Sequence, residues 1–481
     1  MTSDDKTRPK EMRILPKGWE SSRETEEFPL EILGHIMPKS YVPIVEVFSL
    51  PPDADTRTIL KHMTMGLAHT LSRFPILTGV LKMNAQDGAM WVTKRRASTI
   101  SLFVKHMLHD EEFPTYLDLE KKDFPANLLR GDKLLPEAVV AKQVQSPLGD
   151  NSTNGIPIAV LQLNFIRGGL ILGIAVHHAV ADAPGCDGFL AYWAEATAII
   201  ATGKPPPPIA TQPVDTSAHA GLLSVTEAKS EVAPVDDDES SYSTLIKDAG
   251  GPMPLPRPPD GFQMPDISQQ MLHFPKSKAE ALKARISGQL QDGWISTPRR
   301  HHGAPLGQRH TGKVGPAQAR TRPDHEAPPR SKHTKDMGST SAGTTLTAPS
   351  NLPRIASAVR ASTNQLKRPG YLAGLARWIA ARRDKRWLSL DFDAFLGSDM
   401  GATSWQSMTA YTTHDFGFGP PKALRWPSPA LDGFVFLYPS RAAQKGPDAD
   451  EGVEVCVCLE RGCMERLLGD AELMAYAHPR G

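Results

Sequence analysis

The chain has 481 residues, 40% of them hydrophobic, which is enough for two or more compact domains because single cores stop growing well below this length. Its 54 Lys and Arg residues are balanced by 53 Asp and Glu residues, so charge gives no reason to expect binding to nucleic acid or an anionic membrane. Four cysteines are too few for a disulfide framework, and no apolar run could cross a bilayer or serve as a secretory signal. These features favour reduced thiols and a cytoplasmic location.

Strand-like and helix-like segments alternate in the N-terminal part. Val and Ile are frequent from Tyr41 to Leu50, which predicts a strand, and apolar residues from Ile59 to Leu71 recur at helical spacing. Further strands are predicted at 79–83, 90–93, 100–104 and 158–165. This alternation is typical of an α/β layer structure.

The next segment carries the first candidate site. An apolar run from Leu170 to Val176 predicts a strand that is buried on both faces, and it ends at His177 and His178. After Asp182, apolar residues recur at helical spacing until a run of prolines. The two histidines therefore lie where a core strand turns into a helix, a place where α/β proteins commonly present reactive groups to a cleft.

His178 is the candidate general base of this turn. A neutral imidazole, with an ordinary pKa of about 6.5, accepts a proton from a hydroxyl or an amine near neutral pH. His177 and Asp182 are expected to support the turn structurally. The alternative from the residues alone is that the whole turn is a hydrogen-bonded structural feature with no catalytic role.

Proline, acid and serine dominate the chain from 206 to 261, which predicts a crossover linker. The expected organisation is an N-terminal domain at 1–205, this linker, and a C-terminal domain at 262–481. Order resumes with a strand at 270–274 and a helix at 277–290.

Residues 298–346 differ in kind from the rest of the second domain. They contain no Phe, Trp, Tyr, Ile or Cys, but nine Lys or Arg and five of the sixteen histidines. Such a composition indicates a reading-frame or splicing error in the gene prediction, or else a genuine disordered insertion. His301, His302, His310 and Asp324 lack a packed framework that could hold an ion, so no metal is expected.

The C-terminal part carries two further motifs. A helix is predicted at 374–382, strands at 431–437 and 453–459, and a closing helix at 463–477. Thr403-Ser404-Trp405 precedes a box formed by Asp415, Phe416, Gly417, Phe418 and Gly419. Two glycines around an aromatic residue predict a tight turn that ring burial pins, with Asp415 accepting backbone hydrogen bonds.

Three motifs together resemble one enzyme family. The HHxxxD stretch from His177 to Asp182, the Thr403-Ser404-Trp405 segment and the DFGFG box occur in the order found in acyl-CoA-dependent acyltransferases of the BAHD type. The family's DFGWG box has Trp where this chain has Phe418. The resemblance is strongest to the fungal trichothecene 3-O-acetyltransferase-like group and runs from about Phe28 to Ala477.

This resemblance implies a fold and an activity. The fold would be α/β, with two similar chloramphenicol acetyltransferase-like domains of mixed sheet plus helices and an active-site channel at their interface. The activity would move an acyl group from acyl-CoA, a co-substrate rather than a bound cofactor, to a small-molecule alcohol or amine of secondary metabolism. His178 would be the base, and Thr403 and Trp405 would contact the substrate or the oxyanion. Asp182 would pair with an arginine from about 298–346, and the enzyme would be a monomer.

Two alternatives remain open. Condensation domains of peptide synthetases share HHxxxD and form amides, although the DFGFG box disfavours them here. A non-catalytic binding protein or pseudoenzyme on the same fold is the other, because residues 298–346 depart from the family pattern.

Overall fold

The structure, a computed structural model, describes residues 9–136, 155–206, 246–251, 265–289, 317–320, 343–345, 352–365, 371–391, 399–446 and 449–481. None of the helices in these ranges is both long and apolar enough to span a bilayer.

The strands of the described ranges form four sheets and are numbered in chain order. The first nine are β1 (Lys10–Ile14), β2 (Thr25–Pro29), β3 (Tyr41–Ser49), β4 (Val80–Met83), β5 (Met90–Arg95), β6 (Ile100–His106), β7 (Ile156–Pro157), β8 (Ala159–Ile166) and β9 (Gly169–His177). The others are β10 (Ile246–Asp248), β11 (Ile267–Phe274), β12 (Ala317–Arg320), β13 (Gly343–Thr345), β14 (Leu388–Leu390), β15 (Met400–Ser404), β16 (Ala423–Arg425), β17 (Phe434–Leu437), β18 (Val453–Glu460) and β19 (His478–Pro479).

Helices cover and connect these sheets. The α-helices are α1 (Thr56–Arg73), α2 (Tyr116–Lys121), α3 (Gly131–Leu134), α4 (Ala183–Ala201), α5 (Lys276–Ser287), α6 (Leu352–Gln365), α7 (Tyr371–Ala381), α8 (Ala410–Thr413), α9 (Ala442–Lys445), α10 (Arg461–Leu468) and α11 (Ala471–Met474). The 3-10 helices are Trp19–Ser21, Ile32–His35, Pro75–Thr78, Ala126–Leu128 and Lys385–Trp387.

A six-stranded mixed sheet forms the centre of the N-terminal half. Its order is β1-β6-β8-β9-β3-β16, with β6 and β8 parallel and the other pairs antiparallel. Every residue of β8 and β9 is buried. This confirms the prediction of a strand buried on both faces, because apolar side chains on both sides of a strand require cover on both sides.

Helices α1 and α4 pack closely against each other. Trp193 of α4 is fully buried, and its indole N–H donates to the backbone oxygen of Met63 in α1 at 2.8 Å. At Gly66, an added Cβ would lie 2.2 Å from the hydroxyl oxygen of Thr197, so only glycine permits this approach. The middle of α4 is therefore held closely against α1.

A seven-stranded sheet forms the C-terminal half, with the order β13-β12-β15-β17-β18-β11-β19. Its longest pairing is antiparallel and joins all of β11 to β18. Within 298–346 the described residues are those of β12 and β13, which pair with each other, and β12 also pairs with β15. The rest of that predicted aberrant segment lies outside the described residues.

One strand of the C-terminal half belongs to the sheet of the N-terminal half. Strand β16 comes from the C-terminal half but pairs with β3 in the N-terminal sheet. In the predicted linker, 207–245 and 252–261 lie outside the described residues, but β10 pairs with β14 and buries Ile246 fully. A three-residue strand in a proline-rich segment leaves no periodic signal, so the sequence did not indicate it. The domain boundaries stay a prediction.

Most predicted elements agree with the structure to within a few residues, and one differs. The predicted closing helix at 463–477 is two helices, α10 and α11. Helix α10 ends at Leu468, directly before Gly469. The carboxylate of Asp470 accepts the backbone N–H of Leu473 at 2.8 Å and thereby caps α11. Glycine is a poor helix former and aspartate a strong cap, which explains the break.

Candidate active site

The first histidine of the turn, His177, is a buried part of the sheet. It lies opposite Tyr41 in the pairing of β3 with β9, and the two rings contact edge to face with centroids 5.6 Å apart. Its Nδ1 accepts the backbone N–H of Ala179 at 3.3 Å, so a neutral ring carries its proton on Nε2. Burial, with smaller effects from the charges of Lys39 and His178, lowers the pKa of His177 from 6.5 to about 3. His177 is therefore a neutral structural residue.

The second histidine, His178, has a partly exposed side chain. Its backbone N–H donates to the carbonyl of Ser40 at 2.8 Å, next to the start of β3. The backbone is thus fixed by the neighbouring strand, while the residue is partly exposed, with its Nδ1 buried. Of the two histidines, only His178 combines a fixed backbone with an accessible imidazole, as a general base requires.

Asp182 closes the turn and begins helix α4. Its Oδ1 accepts the backbone N–H of Gly185 at 3.1 Å, and Pro184 occupies the first turn of the helix. An aspartate before a proline in the first turn is a strong helix start. No arginine in the described part of the chain pairs with Asp182, and most of the segment predicted to supply one lies outside it. The four-residue spacing from His178 to Asp182 thus serves the turn from strand to helix.

A 3-10 helix, Ile32–His35, lies directly on this turn. An added Cβ at Gly34 would come within 2.5 Å of the backbone oxygen of Ala179, so the helix and the histidine turn touch through their backbones. The apolar side chains around Gly34 pack on the other side against α7 and β14, where the buried residues include Tyr371, Leu375 and Leu388. The sequence does not indicate this contact, because a single glycine in a short segment carries no specific signal.

Thr403 and Trp405 lie in the other half of the molecule. Thr403 is partly buried in β15 and pairs with Phe436 of β17. Trp405 is only 3% exposed, and its ring packs edge to face on Phe436 and Tyr438, with centroids 5.8 and 5.7 Å away. Trp405 is thus part of an aromatic core, and substrate contact by either residue stays a prediction.

The DFGFG box forms the predicted tight turn. Asp415 Oδ1 accepts the backbone N–H groups of Gly417 and Gly419, both at 2.8 Å, which confirms the predicted hydrogen bonding. Both glycines have φ near +100°, a conformation that favours glycine. Phe416 is the more deeply buried ring, in edge-to-face contact with Trp193 of α4 at 5.2 Å, while Phe418 is partly buried. The box therefore attaches a C-terminal segment to the N-terminal half.

Beside the box, His414 bridges two carboxylates. Its Nδ1 lies 2.6 Å from Glu46 Oε1 on β3. Its Nε2 hydrogen-bonds to the backbone oxygen of Asp187 on α4 at 3.2 Å and lies 3.2 Å from Oδ1 of that residue. Burial alone would lower the pKa of His414, but the carboxylates of Glu46 and Asp187 outweigh it and raise this pKa from 6.5 to about 10. The ring is a cation at neutral pH. No sequence motif relates residues 46, 187 and 414, so this bridge was also missed.

The chain is similar to known acyltransferases, and the matched region includes the histidine turn. Residues 40–196, which contain the histidine turn, match the family model for the trichothecene 3-O-acetyltransferase-like N-terminal domain. Over nearly the whole length, the chain is similar to acetyltransferase FGR3 of Gibberella zeae, with 27% identity over 97% of this chain and 93% of that protein. The chain is an acyltransferase, and it is similar to proteins of the trichothecene 3-O-acetyltransferase-like group.

A second relative and two solved structures extend the comparison. Acyltransferase easC of Emericella nidulans is 25% identical over 93% of this chain and 94% of its own length. The crystal structure of F. graminearum TRI101 complexed with coenzyme A and T-2 mycotoxin covers 95% of this chain and all of that chain, with a TM-score of 0.65 and 17% identity. Vinorine synthase, at 15% identity, has a TM-score of 0.54 over 98% of this chain and 99% of its own. The predicted fold class, two-domain α/β of the chloramphenicol acetyltransferase type, is confirmed.

Proposed function

We propose that this chain transfers an acyl group from an acyl-CoA thioester to a hydroxyl group of a small molecule, with His178 as the general base. The observation that carries the proposal is the partly exposed imidazole of His178 on a backbone fixed by the buried strand β9 and by Ser40. A fixed and accessible base is what hydroxyl activation demands.

The chemistry needs no covalent enzyme intermediate. The His178 imidazole takes the proton of the acceptor hydroxyl as its oxygen attacks the thioester carbonyl. Collapse of the tetrahedral intermediate breaks the carbon–sulfur bond. The coenzyme A thiolate takes the proton from His178 and leaves as the free thiol, which returns His178 to its neutral form. A thioester is already activated, so positioning, base catalysis and oxyanion stabilisation are the main demands on the protein. We assign the oxyanion contact to Thr403, whose hydroxyl can donate a hydrogen bond.

A small-molecule alcohol is the acceptor class that the relatives support best. A trichothecene 3-O-acetyltransferase of Fusarium sporotrichioides is 28% identical over 35% of this chain and 37% of its own. Crystal structures of TRI101 contain coenzyme A with T-2 mycotoxin or with deoxynivalenol. On that basis we propose that the acceptor of this chain is also an alcohol, with an amine as the alternative.

The test is release of free thiol from a panel of acyl-CoAs with alcohol and amine acceptors. Replacing His178→Ala should lower turnover by about 10²- to 10⁴-fold while leaving acyl-CoA binding nearly unchanged. His109→Ala is the matched control, because His109 is an exposed histidine outside the turn, and it should retain full turnover.

Two results would contradict the proposal. Turnover of the His178→Ala variant equal to that of the wild type would remove this residue from the mechanism. A wild-type protein that binds acyl-CoA but releases no thiol with any acceptor would instead indicate a non-catalytic binding protein.

A further inference from the structure

The bridge of Glu46, the His414 imidazolium and Asp187 joins the elements on either side of the histidine turn to the segment that follows the strand of Thr403. We propose that His414 is a positioning residue for acyl transfer, because it sets the distance between the His178 side and the Thr403 side of the active site. This inference rests on the proposed function and adds a role for residues that do not touch the substrate.

Two of the bridge residues lie on the elements that hold His178. Glu46 is on β3, five residues after Tyr41, and β3 pairs along its whole length with β9, which ends at His177. Asp187 is in the second turn of α4, whose first turn is capped by Asp182. The bridge therefore contacts both the strand that pairs with β9, which leads into the histidine turn, and the helix that follows the turn.

The third residue belongs to the segment that follows Thr403. From the end of β15 the chain passes through buried Trp405 to Thr409, whose backbone N–H and hydroxyl both donate to Asp187, at 2.8 and 2.9 Å. His414 Nε2 then lies 3.2 Å from the backbone oxygen of Asp187, to which it hydrogen-bonds, and 3.2 Å from Oδ1 of the carboxylate. Asp187 of α4 thus holds two points of the segment between Thr403 and the DFGFG box.

The charge state makes this connection rigid. An imidazolium can donate from both ring nitrogens at once, whereas a neutral imidazole can donate from only one. With His414 and Glu46 both 1% exposed or less, any slip of the segment would leave a charged group buried without its partner. Such unpairing is strongly unfavourable, so the two halves have one preferred position relative to each other.

A fixed relative position of the halves matters because acyl transfer needs three groups close to one another. The base, the acceptor oxygen and the thioester carbonyl must lie within near-attack distance, and a misplacement of about 1 Å can cost about 100-fold in rate. His178 and Thr403 come from different sheets, so their separation depends on the contacts between the halves. Among the described residues, the buried pair of Arg425 and Glu454 also joins the two halves, but the bridge is the one that contacts both β3 and α4, the elements on either side of the histidine turn.

The experiment compares His414→Gln with Lys94→Met. Lys94 is 1% exposed and pairs at 2.8 Å with Glu26, whose side chain is 27% exposed, in the sheet β2-β5-β4-β7, so this control also removes a buried charge from an ion pair, but away from β3 and α4. For His414→Gln we expect turnover per folded molecule to fall by about 10- to 100-fold, with acyl-CoA affinity within about threefold of wild type. For Lys94→Met we expect a lower melting temperature and wild-type turnover per folded molecule.

A second variant covers the case in which His414→Gln does not fold. Asp187→Asn keeps an acceptor for Thr409 but removes the charge that faces His414, and it should show the same loss of turnover with unchanged acyl-CoA affinity. Wild-type turnover in the folded variant would overturn the positioning role while leaving the proposed function intact. A wild-type protein without thiol release would overturn both.

Discussion

Replacing Gly34→Ala tests whether the backbone contact beneath the histidine turn controls catalysis. The added Cβ would lie 2.5 Å from the oxygen of Ala179, whereas ordinary contact begins at 3.4 Å. The obstacle is backbone, with no flexible side chain to yield, so the two segments must move apart by roughly 0.9 Å, within the range where misplacement costs up to about 100-fold in rate. Ala179 directly follows His178, so this movement displaces the base. We expect turnover to fall by about 10- to 100-fold.

The assay is thiol release per folded molecule, together with a thermal melt and near-UV circular dichroism. Gly188→Ala is the matched control, because Gly188 lies in α4 with nothing within 4 Å of an added Cβ. It should keep wild-type turnover, since alanine is a better helix former than glycine. If Gly34→Ala is folded and turns over at the wild-type rate, the contact with Ala179 has no bearing on the position of His178.

Three further predictions concern the cap, the box and the bridge. Asp182→Asn should keep the melting temperature, because asparagine caps as well as aspartate, whereas Asp182→Ala should lose about 0.5–2 kcal/mol of stability; a destabilised Asn variant would instead indicate a charge partner outside the described residues. Asp415→Ala should lower the melting temperature, because Gly417 loses its hydrogen-bond acceptor, and unchanged melting would refute the structural role of the box. The folded-state pKa of His414, about 10, exceeds its unfolded value of 6.5, so its stabilisation is complete below pH 6.5 and is lost as the pH rises through 10. Burial lowers the pKa of Lys39 to about 7, so the contribution of Lys39 to stability rises with pH over much of this range. The measurement is therefore the melting temperature of wild type minus that of His414→Gln from pH 6 to pH 10, because Lys39 is present in both proteins. A difference that does not shrink across this range would show that His414 is not a buried cation.

The sequence by itself determined the local features of the site. The apolar run that ends at His177, the helix that begins after Asp182 and the turn around Asp415 were all predicted, because each depends on residues a few positions apart. Hydrophobic periodicity, capping and glycine conformation act over such distances. Family resemblance added the acyltransferase fold, which motif order and spacing can indicate without any knowledge of contacts.

Only the tertiary structure decided which histidine is reachable and what holds the turn in place. His177 and His178 are adjacent and chemically identical, and their difference in burial comes from the strands and loops that surround them. The contact of Gly34 with Ala179 and the bridge through His414 join residues that are far apart in the chain. Such contacts follow from how the chain brings distant segments together, and no local pattern encodes them, because burial and charge pairing are properties of the assembled core.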